Sequence, residues 1–142
     1  MSTAITPFAG GCQCGAVRYE STAAESEIQM FKCHCRDCQG LSGGPYAPVV
    51  LVPARTFRIT RGTIRHHTTS GEVGPHQRGY CADCGSRLTG GEGPGSKKIG
   101  VTAASLDDPT WFKAEFEMWV SDTEPWDVLD VNVPHFGKYP PS

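Results

Sequence analysis

The sequence predicts a mainly β chain with only short helical turns, and two observations carry that prediction. Seventeen glycines and eleven prolines are spread through 142 residues, which interrupts long helices and favours short strands joined by turns. Apolar residues also recur at every second position in several short segments, the period of a strand with one buried face.

Taken in order, Val17 and Tyr19 share one strand face, with Arg18 and Glu20 on the other. The most apolar run, residues 47–52, stops at Pro53 and is far too short to span a bilayer. Phe57 and Ile59 alternate with Thr56, Arg58 and Thr60, and Arg61-Gly62 turns the chain towards a strand over 64–68. Ile99, Val101 and Ala103 form a further alternating set; Phe116, Met118 and Val120 form another, flanked by Glu115 and Glu117. Helical turns are expected over 36–40 and over 105–111, where Ser105 caps a turn and Asp107 and Asp108 suit a helix N-terminus. Residues 90–95, Gly-Gly-Glu-Gly-Pro-Gly, read as a mobile loop. That loop lacks the strand–loop–helix setting and the lysine of a phosphate loop. With no linker or internal repeat, residues 1–142 are expected to form one domain.

The formal net charge is −2, and the thirteen basic residues are scattered, so no stretch tracks a phosphate backbone or an anionic membrane. Residues 1–11 lack the basic and apolar regions of a signal peptide. The expectation is a soluble cytoplasmic protein with no nucleic-acid or membrane partner. In that compartment disulfides do not persist, and seven cysteines need another explanation.

The cysteines fall in three groups: Cys12-Gln13-Cys14-Gly15, Cys33-His34-Cys35-Arg36-Asp37-Cys38 and Cys81-Ala82-Asp83-Cys84-Gly85. In an extended segment residues i and i+2 point the same way, which pairs Cys12 with Cys14 and Cys33 with Cys35. Two cysteines separated by two residues suit a tight turn whose N–H groups face the sulfurs, and a following glycine lets the chain reverse. Structural zinc takes four ligands, whereas catalytic zinc takes three and keeps a position for water or substrate; seven is four plus three. Spacing allows two partitions. Cys12 and Cys14 join Cys81 and Cys84, leaving Cys33, Cys35 and Cys38; or Cys35 and Cys38 join Cys81 and Cys84 in a ribbon-like site. The first is preferred physically, because Cys33, Cys35 and Cys38 are contiguous enough to chelate one ion. An iron–sulfur cluster fits less well, since the spacings are not those of ferredoxins and seven ligands leave a cluster incomplete. His34 points away from its cysteine neighbours in an extended strand, as a supporting or cleft residue rather than a ligand.

These three groups, with their flanks, resemble the glutathione-dependent formaldehyde-activating enzyme family, which also includes centromere protein V. The resemblance runs through Gly11-Cys12-Gln13-Cys14-Gly15, Cys33 to Cys38 with Ser42-Gly43, Gly79-Tyr80-Cys81-Ala82-Asp83-Cys84-Gly85, Ser105-Leu106-Asp107-Asp108-Pro109, and Met118-Trp119-Val120 to Pro125-Trp126. It implies a β-tent of small antiparallel sheets, a fold shared with a chaperone-like exchange factor of Rab GTPases. It also implies two zinc ions: a structural one on Cys12, Cys14, Cys81 and Cys84, and a second, associated with catalysis, on Cys33, Cys35 and Cys38. Relative to the namesake the chain is shorter around both ends of the motif region, where further segments could shape a glutathione pocket. The resemblance therefore implies the metal sites more directly than the specificity for glutathione and formaldehyde.

Three thiolates on Zn²⁺ leave a net charge of about −1, which disfavours ionising water and favours another soft ligand. The expected enzyme is a carbon–sulfur lyase acting on a thiol adduct such as S-hydroxymethylglutathione, with a small thiol as partner. Arg36 is either a carboxylate anchor or a surface ion-pair partner. His34, His66, His67 and His76 are candidate proton shuttles or ordinary polar strand residues. Trp119 lines a cleft or is partly buried, and Trp126 reads as a packing anchor. The rival readings are a non-catalytic zinc-stabilised binding module of the same fold and a nucleic-acid-binding zinc ribbon, the latter disfavoured by the charge balance.

Overall fold

The predicted alternation organises the chain into two sheets, whose facing sides make the main core. The computed structural model describes residues 6–72, 74–91 and 95–141. Its strands are β1 (Phe8–Gly11), β2 (Arg18–Ser21), β3 (Gln29–Cys33), β4 (Ala47–Pro53), β5 (Phe57–Arg61) and β6 (Arg65–Thr69). They continue with β7 (His76–Tyr80), β8 (Arg87–Gly90), β9 (Lys98–Thr102), β10 (Phe116–Met118) and β11 (His135–Phe136). One short α-helix, α1 (Arg36–Ser42), follows β3, and single 3₁₀ turns supply the remaining helical structure among the described residues. No described helix is long and apolar enough to cross a membrane.

Strands β1, β2 and β5 form a three-stranded antiparallel sheet. The other eight run in the order β11-β10-β3-β4-β9-β8-β7-β6. Val17 and Tyr19 from the small sheet's side pack with Val50, Val52, Leu88, Ile99 and Val101 of the large one. Each such side chain, when fully buried, contributes about 1.5–3 kcal/mol. Strand β4 is apolar throughout because both its faces are covered. Val50 and Val52 enter the main core, while Ala47, Val49 and Leu51 pack on the opposite face against a second cluster of Phe31, Phe116, Trp119 and three cysteines. Phe31 and Phe116 stack there with ring centroids 5.1 Å apart. The second face is where the pocket lies.

Several expectations are revised. The larger sheet has eight strands and is mixed, with β10 parallel to both β3 and β11. The chain does turn at Gly62, whose φ is +75°, but β6 pairs with β7 in the other sheet. That turn therefore transfers the chain between sheets rather than closing a hairpin. Thr56 is buried in a 3₁₀ turn (Ala54–Thr56), its hydroxyl donating to the Pro53 carbonyl at 2.7 Å. Ala103 likewise lies in a 3₁₀ turn, just past β9. The 105–111 segment is not one helix. It holds the end of one 3₁₀ turn and a second turn (Pro109–Trp111), capped by Asp108, whose carboxylate accepts from the Thr110 N–H at 3.1 Å. Strand β10 ends at Met118 because Trp119 adopts φ +59°, and Val120 starts a 3₁₀ turn. Glu117, read as a solvent-facing flank, is buried. Of the 90–95 loop, residues 92–94 lie outside the described residues, as do residues 1–5.

Candidate functional site

Two hairpin tips of the same design bring Cys12, Cys14, Cys81 and Cys84 together. Between β1 and β2, the Cys12 N–H donates to the Val17 carbonyl at 3.0 Å and the Gly15 N–H to the Cys12 carbonyl at 3.2 Å. Between β7 and β8, the Cys81 N–H donates to the Ser86 carbonyl at 3.0 Å and the Gly85 N–H to the Cys81 carbonyl at 2.8 Å. Gly15 and Gly85 take φ values of +83° and +77°, a conformation that costs a side-chain-bearing residue about 1–2 kcal/mol. Cys14 thus meets Cys12 through a turn rather than through the pleat of a strand. One tip belongs to the small sheet and the other to the large sheet, so this cluster staples the two sheets together.

The four sulfurs lie within 4.8 Å of one another, with Cys12–Cys14 at 3.6 Å and Cys14–Cys81 at 3.8 Å. A disulfide needs about 2.05 Å, whereas a tetrahedron of about 2.3 Å metal–sulfur bonds has edges of about 3.8 Å. The donor set therefore fits a tetrahedral metal ion. Backbone groups prepare it: the Val17 N–H donates to Cys12 Sγ at 3.1 Å. Ser86 links the tips, accepting from the Gln13 N–H at 3.0 Å and lying 3.1 Å from Cys84 Sγ. That hydroxyl, with the Ser86 backbone, draws the Cys84 thiol down to about 6.

The second set is local. Cys33 ends β3, Cys35 is the N-cap of α1 with its sulfur accepting the Cys38 N–H at 3.3 Å, and Cys38 sits in the first helical turn. All three are buried, and their sulfurs lie within 4.8 Å of one another. Hydrogen bonds from Cys33 and then Cys38 draw Cys35 down to about 2, while Cys33 is driven up by the same contacts and by burial. One negative charge is thus readily carried by the cluster, and further deprotonation calls for a bound cation. The chemistry of this donor set fits a soft metal ion with one position open.

This cluster borders a pocket of about 350 Å³ on the large sheet's second face. Strand register lines up Phe116, Phe31, Val49 and Thr102 in one row across the sheet. Leu51, Gly100, Gly90 and Arg78 form the next. Arg78 donates from Nε to Thr69 Oγ1 at 3.1 Å and from Nη1 to Cys38 Sγ at 3.7 Å. Arg87 and His76 also line the pocket. At the rim stands Tyr139, its hydroxyl pushed up by burial and by the charge of the cysteines. The tail carries it there: β11 pairs with β10, and the Trp119 N–H donates to the Lys138 carbonyl at 2.9 Å.

His34 follows the last residue of β3 and is engaged by two carboxylates, outside the set of three sulfurs. Its Nε2 lies 2.6 Å from Glu117 Oε1 and its Nδ1 is 3.1 Å from Asp127 Oδ2, all three side chains being buried. Glu117 Oε2 in turn accepts the Asp130 N–H at 2.6 Å, which ties the tail to the cysteine segment. Arg36 is a surface residue paired with Glu124 at 3.0 Å and does not line the pocket. His66 and His67 lie exposed on β6, which leaves His76 as the pocket histidine among the described residues. Trp119 is buried against the cysteine cluster, whereas Trp126 is 67% exposed and anchors no core. Sequence reasoning missed Arg78, Arg87, Ser86 and Tyr139. The flanks of the Cys81–Cys84 turn held the first three, but only the hairpin's facing makes them visible.

A Penicillium rubens protein, provisionally named a glutathione-dependent formaldehyde-activating enzyme, is 32% identical over 93 residues, 61% of this chain and 48% of that protein. The chain thus spans about half the length of this curated relative. A crystal structure of a Rhodobacter sphaeroides protein, 19% identical, covers 89% of this chain and 98% of its own with a TM-score of 0.57, a likeness of fold. Residues 7–122 match the model of the glutathione-dependent formaldehyde-activating enzyme family, a span that takes in all seven cysteines. The chain belongs to that family.

Proposed function

We propose that this protein is a zinc-dependent carbon–sulfur lyase acting on a small thiol adduct, such as S-hydroxymethylglutathione or a related thiol conjugate. In this reading Cys12, Cys14, Cys81 and Cys84 hold a structural zinc at the heart of a β-tent domain. Cys33, Cys35 and Cys38 hold the second. The observation that carries the reading is the placement of three buried cysteine sulfurs beside a pocket of about 350 Å³, on the sheet face opposite the main core. A site built only for stability has no need of a pocket at its open side.

A zinc ion held by three thiolates supplies a position at which a substrate sulfur is kept in its thiolate form. In the synthetic direction the sulfur lone pair forms a bond to the carbonyl carbon. The C=O π pair moves to oxygen, which takes a proton. In the reverse direction the hydroxyl loses that proton, the C=O bond re-forms and the carbon–sulfur pair returns to sulfur. His76 is the pocket group suited to hold that proton, and Tyr139 screens the site from solvent at the rim. The cationic side chain of Arg78, 3.7 Å from Cys38 Sγ, favours negative charge on sulfur. A reducing, cytoplasmic setting that keeps seven thiols available belongs to the same proposal.

The test is exchange spectroscopy by NMR on formaldehyde–thiol adducts with the zinc-loaded protein. Accelerated adduct exchange by the wild type, lost in Cys33→Ser with the fold retained, is the expected result. No acceleration with glutathione or other small thiols would point instead to a non-catalytic binding module.

A further inference from the structure

We infer that the pocket takes a compact thiol with an apolar body and a single carboxylate held by Arg78 and Arg87, in preference to a peptide thiol such as glutathione. This rests on reading the pocket as a thiol-adduct site and narrows which adduct it serves.

The lining is unevenly divided. Phe31, Val49, Leu51, Phe116 and Met118 give the floor and one side an apolar surface. Cationic groups gather at the β7–β8 side, where Arg78 and Arg87 both line the pocket and Arg78 reaches Cys38 Sγ. None of the described lining residues is acidic, and neither arginine has a carboxylate partner among the described residues. Arg78 is held in place by Thr69 and touches Cys38 Sγ, so its charge sits beside the sulfurs. Gly90, its register partner, has no side chain to cover it; a Cβ there would come within 3.5 Å of Arg78 Nη1. Arg87 lies over the Tyr80 ring, 5.4 Å from its centroid, which orients the guanidinium without neutralising it.

Glutathione presents two carboxylates, an ammonium group and two amides. Each polar group desolvated on an apolar floor without a partner weakens binding about five- to 150-fold. The ammonium in particular meets two guanidinium groups and no described acid. A thiol carrying one carboxylate a few bonds from sulfur satisfies both ends of the site. Its carboxylate meets a planar donor pair, and its apolar body covers the floor.

Isothermal titration of the zinc-loaded full chain separates the possibilities with three probes: 2-mercapto-3-phenylpropanoate, 2-phenylethanethiol and glutathione. The mercapto acid is expected to bind at least tenfold more tightly than either of the others. In Arg87→Gln that advantage over 2-phenylethanethiol falls about tenfold while 2-phenylethanethiol affinity stays as in the wild type, and Arg87→Lys restores part of it. Thermal melting of each variant verifies the fold. Binding of glutathione as tight as the mercapto acid, or an equal loss for both aromatic thiols in Arg87→Gln, overturns the inference and leaves the thiol site standing. No binding of any of the three overturns the inference and the thiol-site reading together.

Discussion

The two cysteine sets offer the same donor atoms from opposite structural settings. Cys14 and Cys81 are 67 residues apart in sequence, and their cluster joins hairpin tips from different sheets, with Cys14 and Cys84 exposed. Cys33, Cys35 and Cys38 occupy one strand–helix junction, all three buried. Cross-linking distant segments removes chain entropy from the unfolded state, whereas chelation within six residues removes little. The first cluster is therefore suited to hold the fold, and the second to present an open position to a pocket.

The sharpest way to break this contrast is to remove one member of the first set. Apparent binding energies for structural zinc of about 10–16 kcal/mol rival a domain's net stability of about 5–15 kcal/mol. Cys12→Ala or Cys84→Ala is expected to abolish cooperative thermal unfolding by circular dichroism. A folded variant with near-native melting would dissolve the distinction.

Next in size is the support behind the second set. Glu117→Ala leaves His34 buried without its 2.6 Å partner and frees the Asp130 N–H, an expected loss of about 3–5 kcal/mol in urea unfolding. If the change costs under 1 kcal/mol, the tail is not pinned to the cysteine segment as described.

How much of this was legible in the sequence follows from range. Spacing marked the cysteines as donors but allowed two partitions, and Cys33, Cys35 and Cys38 were preferred as one set because they are contiguous; the sulfurs do gather into that set and the other four. The β-rich class followed from alternation at Val17, Tyr19, Phe57 and Ile59. Sheet partners were not legible, since β10 reaches β3 in parallel across more than eighty residues and no local pattern encodes that. The alternation around Glu117 was correct in period, yet its outward assignment failed because the returning tail and His34 bury that face. Arg36, adjacent to Cys35 in sequence, pairs with Glu124 at the surface, whereas Arg78 and Arg87 line the pocket from a hairpin distant in sequence.

A smaller effect concerns stability alone at the open site. Cys33→Ser is expected to melt within a few degrees of the wild type, since its set cross-links no distant segments. A large loss would make the second cluster a fold-holding site as well.

Smallest of all is the Arg18–Asp107 pair, which ties β2 to the segment after β9, Nη1 donating to Oδ1 at 2.8 Å. The Arg18 hydrogen bond holds the Asp107 carboxyl below its ordinary value of 3.8. A lowered value means the pair stabilises the fold above pH 3.8 and the contribution fades as pH falls through the lowered value. With Asp107 half-exposed, Asp107→Asn should cost under about 1 kcal/mol at pH 7. The difference from wild type should vanish in strong acid, as followed by melting temperature against pH.

Metal stoichiometry tests the division of labour most directly. Native mass spectrometry of the zinc-loaded chain should find two zinc ions in the wild type and one in a folded Cys33→Ser protein. One ion in the wild type, or loss of both ions in Cys33→Ser, would contradict it.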